Sequence, residues 1–118
     1  MKKELDMLIE FHEKYQAGIN RAPSLIDKEH GLNRYKFMRE EVEEYLEGVQ
    51  TEDLPNIAKE LADILYTTYG TIVAHGLQDK IEDIFTEVHR SNMSKDYHPV
   101  KAVKGKDYSE ADIKQFFK

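Results

Sequence analysis

Apolar residues recur every three or four positions through most of this chain, the period of helices that bury one face. The first such stretch runs from residue 2 to about residue 17, with Leu5, Leu8, Ile9, His12 and Tyr15 near one face and Gly18 as its stop. A connector follows from Ile19 to about Glu29, marked by Asn20 and the Ala22-Pro23 pair. A second helix is predicted from about His30 to Val49, with Met38, Val42, Tyr45, Leu46 and Val49 as its stripe. Thr51 or Asp53 can cap a third, and Pro55 is tolerated in its first turn. That helix continues to about Ala74, with an apolar arc of Ile57, Leu61, Ile64, Leu65, Thr68 and Ile72. Gly76 ends it and should reverse the chain into a fourth helix, about Asp79 to Met93, striped by Ile81, Ile84, Phe85 and Val88. Pro99 bars a helix in the stretch that follows. Residues 109–117 can form a short final helix capped by Ser109 and docked by Ile113, Phe116 and Phe117. The pattern predicts an all-α chain with a four-helix, bundle-like core over about residues 2–93. A tail over about 94–118 completes a single domain of residues 1–118.

The shoulders of two of these stripes are acidic. In Glu40-Glu41-Val42-Glu43-Glu44, helical spacing puts Glu41 and Glu44 on the flank of the stripe in line with Phe37, while Glu43 and Glu47 point to solvent. In Glu60-Leu61-Ala62-Asp63, the two carboxylates sit one turn apart at the edge of the arc. If the two helices pack antiparallel, four carboxylates converge. Converging, partly buried carboxylates repel and resist ionisation, and a hard divalent cation removes that penalty. Mg²⁺ suits an all-oxygen site and shares its shell with substrate phosphates, and Mn²⁺ takes similar ligands. On spacing alone, such acidic runs also fit solvated helix faces, and the chain then reads as a non-catalytic acidic helical interaction protein.

Composition narrows the choice. The chain has 118 residues, a formal net charge of −6 and no cysteine. The charge argues against a nucleic-acid coat, which needs a basic surface. A nucleotide substrate stays open, because a metal ion and a few local cations can carry its phosphates. Disulfides and thiolate metal sites are excluded. No stretch has the apolar length of a signal peptide or a membrane span, so a cytoplasmic location is the default expectation. Only Ser91 to Tyr108 is basic, and from there Lys95 and Lys104 could reach metal-bound oxyanions as point charges. A solvated tail is the plainer reading of the same lysines. There is no G-x-x-x-x-G-K phosphate loop.

Several ordered motifs together resemble one superfamily. Glu40-Glu41-Val42-Glu43-Glu44, followed sixteen positions later by Glu60-Leu61-Ala62-Asp63, resembles the EExxE … ExxD signature of the all-α nucleoside triphosphate pyrophosphohydrolases. These include MazG-like proteins, dimeric dUTPases and phosphoribosyl-ATP pyrophosphohydrolases. Arg34 with Phe37-Met38 resembles the arginine and apolar pair ahead of the double glutamate, and Asp63-Ile64-Leu65-Tyr66 resembles an ADxLY-type run. Glu87 to Lys95 resembles the E-V-H-x-S-N-M-x-K segment of MazG-like members, and Lys104 to Tyr108 the lysine-and-tyrosine tail after it. The likeness covers roughly residues 8 to 110.

The resemblance implies a Mg²⁺-dependent enzyme that cleaves a nucleoside triphosphate between its α- and β-phosphates, giving a monophosphate and pyrophosphate. It implies a homodimer or homotetramer, with dUTP or a non-canonical nucleotide among the candidate substrates and no nucleic-acid or membrane partner. Carried onto this chain, Glu41, Glu44, Glu60 and Asp63 match the metal ligands. Glu40 matches the first glutamate of the pair, as the base for the attacking water or as ligand to a further metal. Asn92, Lys95, Lys104 and Tyr108 match positions that contact phosphate, sugar or base. Two departures stand out. Many relatives carry a DG-type glycine turn where this chain has Asp96-Tyr97-His98-Pro99-Val100. The phosphoribosyl-ATP branch normally lacks the S-N-M-x-K segment, which makes that activity the alternative here.

Overall fold

The computed structural model describes Met1–Lys118 and is all-helical. Helix α1 spans Lys2–Tyr15, α2 Lys28–Gln50, α3 Leu54–Ala74 and α4 Ile81–Asn92, and a 3₁₀ turn closes the chain at Lys114–Phe117. The only β-type pairing is an isolated antiparallel bridge between Asp96 and Val103. The chain forms two compact units, Met1–Gln78 and Asp79–Lys118.

In the first unit, α2 and α3 pack antiparallel. Near one end Gly48 lies against Ile57, close enough that a Cβ at Gly48 would sit 3.1 Å from Ile57 Cγ1. Near the other, Arg34 Nε donates to Thr71 Oγ1 (3.1 Å) and Arg34 Nη2 donates to the Thr67 carbonyl (2.9 Å). Asp53 caps α3 by accepting from the Asn56 amide (3.2 Å), with Pro55 in the first turn as the sequence predicts. Helix α2 begins before its predicted start, at Lys28, because Asp27 accepts from the His30 amide (2.9 Å). Helix α1 lies against α3, burying Leu5, Leu8 and His12. Tyr15 is exposed, off the buried face that periodicity gave it.

The connector between α1 and α2 closes the C-terminal end of α3. The Asn20 and Ser24 amides donate to the Val73 and His75 carbonyls (3.2 and 2.9 Å), and Asn20 Nδ2 donates to the Ala74 carbonyl (2.7 Å). These satisfy carbonyls that a helix end leaves without partners. Gly76 makes the reversal possible: its φ is +69°, and a Cβ there would collide with the Ala22 carbonyl.

The α2 stripe is not buried by this packing. Val42, Leu46 and Val49 on α2, with Leu61 and Leu65 on α3, are exposed apolar residues, and the deep core is small: Leu5, Leu8, Val73 and Ala74.

In the second unit, α4 holds the C-terminal segment. Arg90 pairs with Glu87 (Nε–Oε1 2.6 Å) and also donates to Ser109 Oγ (3.1 Å) and the Glu110 carbonyl (3.1 Å). Glu87 Oε2 accepts from the Asp112 amide (2.7 Å), and Ser94 Oγ accepts from the Ser109 amide (2.8 Å). These bonds correct the predicted final helix. Ser109 is tied to Arg90 and Ser94 and caps nothing, so only Lys114–Phe117 coils, as a 3₁₀ turn. The Asp96–Val103 bridge closes the loop between those residues through paired amide–carbonyl bonds of 2.8 and 3.0 Å.

Candidate active site

Antiparallel packing of α2 and α3 brings Glu41, Glu44, Glu60 and Asp63 together, with one carboxylate oxygen from each within 4.8 Å of the others. Position along the helices grades their exposure. Glu60, nearest the helix interface, is 5% exposed; Glu41 and Asp63 are half-buried and Glu44 is open to solvent. Like charge at this range is costly. The neighbouring Glu44 carboxylate first, and burial second, raise the Glu60 carboxyl above its ordinary value.

Two oxygens of the cluster are buried without a hydrogen-bond partner: Oε2 of Glu41 and Oε2 of Glu60. Buried polar atoms are otherwise almost always satisfied, and a cation held by the cluster would satisfy both of these oxygens. A donor set made only of carboxylate oxygens suits a hard divalent ion. On the solvent side, Lys59 Nζ lies 2.7 Å from Asp63 Oδ2 and 3.6 Å from Glu60 Oε1. The bond to Asp63 raises the Lys59 ammonium above its ordinary value.

Glu40 stands apart from the four. It is exposed and borders two depressions in the first unit. One, about 330 Å³, runs along α2 between Lys36, Arg39, Glu40, Glu43 and Glu44. The other, about 270 Å³, runs from Glu40 and Glu41 inward to His12 and Arg34, with Phe11 and Tyr66 on its walls. Sequence reasoning missed Lys36 and Arg39, although one helical turn separates each from an acid of the run. His12, on the apolar face of α1, is packed and also lines the inner cavity.

Of the residues expected to contact substrate, Asn92 ends α4 and is exposed, and Lys95 follows it half-buried. Lys104 Nζ lies 5.1 Å from the centre of the Tyr108 ring, so those two form one cation–π pair. All four belong to the second unit.

The chain is all-α, and its two central helices bring four carboxylates together with a cavity leading away from them. A family profile described as phosphoribosyl-ATP pyrophosphohydrolase matches residues 8–92. The chain belongs to that family, within the MazG-like all-α nucleoside triphosphate pyrophosphatase superfamily, and its activity is that of a nucleotide pyrophosphohydrolase. No curated protein matches the chain.

Proposed function

We propose that this protein is a Mg²⁺-dependent nucleoside triphosphate pyrophosphohydrolase, with Mn²⁺ as an alternative ion, that cleaves between the α- and β-phosphates. The observation that carries the proposal is the meeting of Glu41, Glu44, Glu60 and Asp63 within 4.8 Å, with a buried, unpartnered oxygen on Glu41 and on Glu60. These four residues would hold the ion. When bound, it screens the phosphate charge, acidifies water and stabilises leaving pyrophosphate. Glu40, exposed at the mouth beside Glu41, takes the proton of the attacking water. The water oxygen bonds to the α-phosphorus as the bond to the bridging oxygen breaks, and pyrophosphate leaves with that oxygen. Such transfers depend mainly on positioning and charge stabilisation. Lys95 and Lys104 supply positive charge to the phosphates, and Asn92 and Tyr108 contact phosphate, sugar or base. On this reading residues 1–118 act as one catalytic domain.

The exposed stripe of Val42, Leu46 and Val49, beside Leu61 and Leu65, supports a homodimer or homotetramer, because a core this small gains most from burying those side chains against a second copy. The cysteine-free composition fits a cytoplasmic setting, and no helix is long and apolar enough to cross a membrane.

The test is a panel of nucleoside triphosphates with Mg²⁺ scored for pyrophosphate release, beside calorimetric titration of the ion. Glu41→Gln and Asp63→Asn should lose both the heat and the release. Unchanged heats in those variants would return the acidic stripes to a solubility role. Release of single phosphate alone would contradict the bond assignment. The family match favours phosphoribosyl-ATP as a second substrate reading, so that compound belongs in the panel.

A further inference from the structure

Two unlike depressions of the first unit meet at the acid cluster. Glu41 borders the inner cavity, whose walls include the edge-to-face rings of Phe11 and Tyr66, 5.3 Å between centres. The one guanidinium there, Arg34, is buried and committed to α3, donating to Thr71 Oγ1 and the Thr67 carbonyl. Glu44 borders the outer groove along α2, about 330 Å³, which also holds Lys36 and Arg39.

Those two cations are exposed and make no hydrogen bond or ion pair, although Glu40 and Glu43 stand one turn further on. The order of the charges explains this. Each cation precedes its acid by four residues, the weaker of the two arrangements on a helix, because both charges then oppose the helix dipole. Their charge is left for a ligand.

We propose that Lys36 and Arg39 bind the β- and γ-phosphates of the triphosphate, the half that leaves as pyrophosphate, with that half lying along the outer groove. This rests on the pyrophosphohydrolase reading of the acidic site.

Charge sets the need. One divalent ion does not offset four carboxylates, and a triphosphate brings more negative charge to the same place. Lys59 is already engaged with Asp63 and Glu60. Lys36 and Arg39 share a depression with a cluster carboxylate and are uncommitted. The two depressions also differ in what they accept. Aromatic and aliphatic walls suit the flat, uncharged end of a nucleotide, and an open groove with free cations suits its phosphate end.

The reaction gives these cations more to do than hold substrate. As the bond from the α-phosphorus to the bridging oxygen breaks, its electron pair stays on that oxygen, and negative charge on the departing pyrophosphate rises. Cations on that side are attracted more strongly in the transition state than in the bound substrate, so they raise kcat as well as affinity. The planar fork of Arg39 can meet two phosphate oxygens at once, and Lys36 adds a point charge. Glu43 lines the same groove and repels the phosphates.

Calorimetric titration of pyrophosphate in Mg²⁺ tests this without turnover. Lys36→Met and Arg39→Met should each weaken binding about fivefold or more, while Arg39→Lys keeps most of it and Glu43→Gln tightens it. Both methionine variants should still bind Mg²⁺ alone. Lys28→Met removes a positive charge from the first turn of the same helix and should bind pyrophosphate as the native chain does. No binding by the native chain, unchanged binding in both Lys36→Met and Arg39→Met, or an equal loss in Lys28→Met would overturn the proposal. With a nucleotide that is cleaved, Arg39→Met should lower kcat and Arg39→Lys should restore part of it, and a change in KM alone would overturn the leaving-group role. Pyrophosphate binding that depends on Lys36 and Arg39, with no release from any nucleotide, would overturn the activity and leave the anion groove standing.

Discussion

The ammonium of Lys59 sits 2.7 Å from the Asp63 carboxylate, one turn along α3, and places a positive charge at the edge of the acid cluster. It also lies 3.6 Å from Glu60. An exposed pair of this kind contributes little to stability. Its effect on the site is larger in kind, because Lys59 and a divalent ion compete for the same oxygens. Lys59→Met removes the competitor and lowers the local positive charge, so Mg²⁺ should bind up to about fivefold more tightly. Calorimetric titration of the native and variant proteins measures the change, and weaker binding in the variant would mean that Lys59 supports the ion.

The unburied stripes give a second expectation. Leu46 on α2 and Leu65 on α3 are about half exposed in the single chain, at 48% and 54%. If these faces meet their copies, a charge there must be desolvated without a partner. Leu46→Glu and Leu65→Glu should each shift the protein to monomer in light scattering after size exclusion. Glu43→Gln, elsewhere on the exposed surface of α2, should leave the mass unchanged.

Helix number, the α3 cap and the faces of the four acids were legible in the sequence because each depends on spacing within a helix; their meeting needed the antiparallel packing of α2 on α3 as well. Asp53 and Pro55 announce the start of α3, and the three- and four-residue steps fix the faces of Glu41, Glu44, Glu60 and Asp63. The rest depends on contacts between distant segments. Asp27 was hidden as the cap of α2 because the connector before it reads as continuous breakers. Ser109 looked like a helix cap until Arg90 and Ser94 engaged it. His12 on α1 and Arg34 on α2 meet over Gly70 of α3, and no local pattern marks that meeting.

Glu87 sets a pH dependence for the second unit. The Arg90 guanidinium, then the Asp112 amide, hold its carboxyl down at about 2, against an ordinary value of 4.5. A lowered folded-state value means that the unfolded chain binds the proton first. The stabilisation is fully present above about 4.5 and is lost as pH falls toward 2. The segment from Ser109 to Asp112 should therefore become accessible to proteases that work in acid across that window. Glu87→Gln should be accessible already at neutral pH, and equal protection in both proteins would show that Glu87 does not hold the segment.

Three glycines separate backbone strain, crowding and plain helix propensity. Gly31 lies in α2 with only Ile26 Cγ1 near its Cβ direction, at 3.9 Å, so Gly31→Ala should stabilise by about 1 kcal/mol through propensity alone. Gly70 lies on α3 against His12 and Arg34, where a Cβ would come 2.5 Å from Arg34 Nη2 and 2.9 Å from His12 Nε2. Both of those side chains are anchored, Arg34 to Thr67 and Thr71 and His12 to Gly18. Gly70→Ala should cost about 1–3 kcal/mol, the usual penalty of overpacking. Gly76→Ala meets both a left-handed φ and the Ala22 carbonyl, and backbone cannot swing away as a side chain can. It should be the least stable of the three. Urea unfolding orders them, and a Gly70→Ala protein as stable as the native chain would mean that His12 and Arg34 move freely.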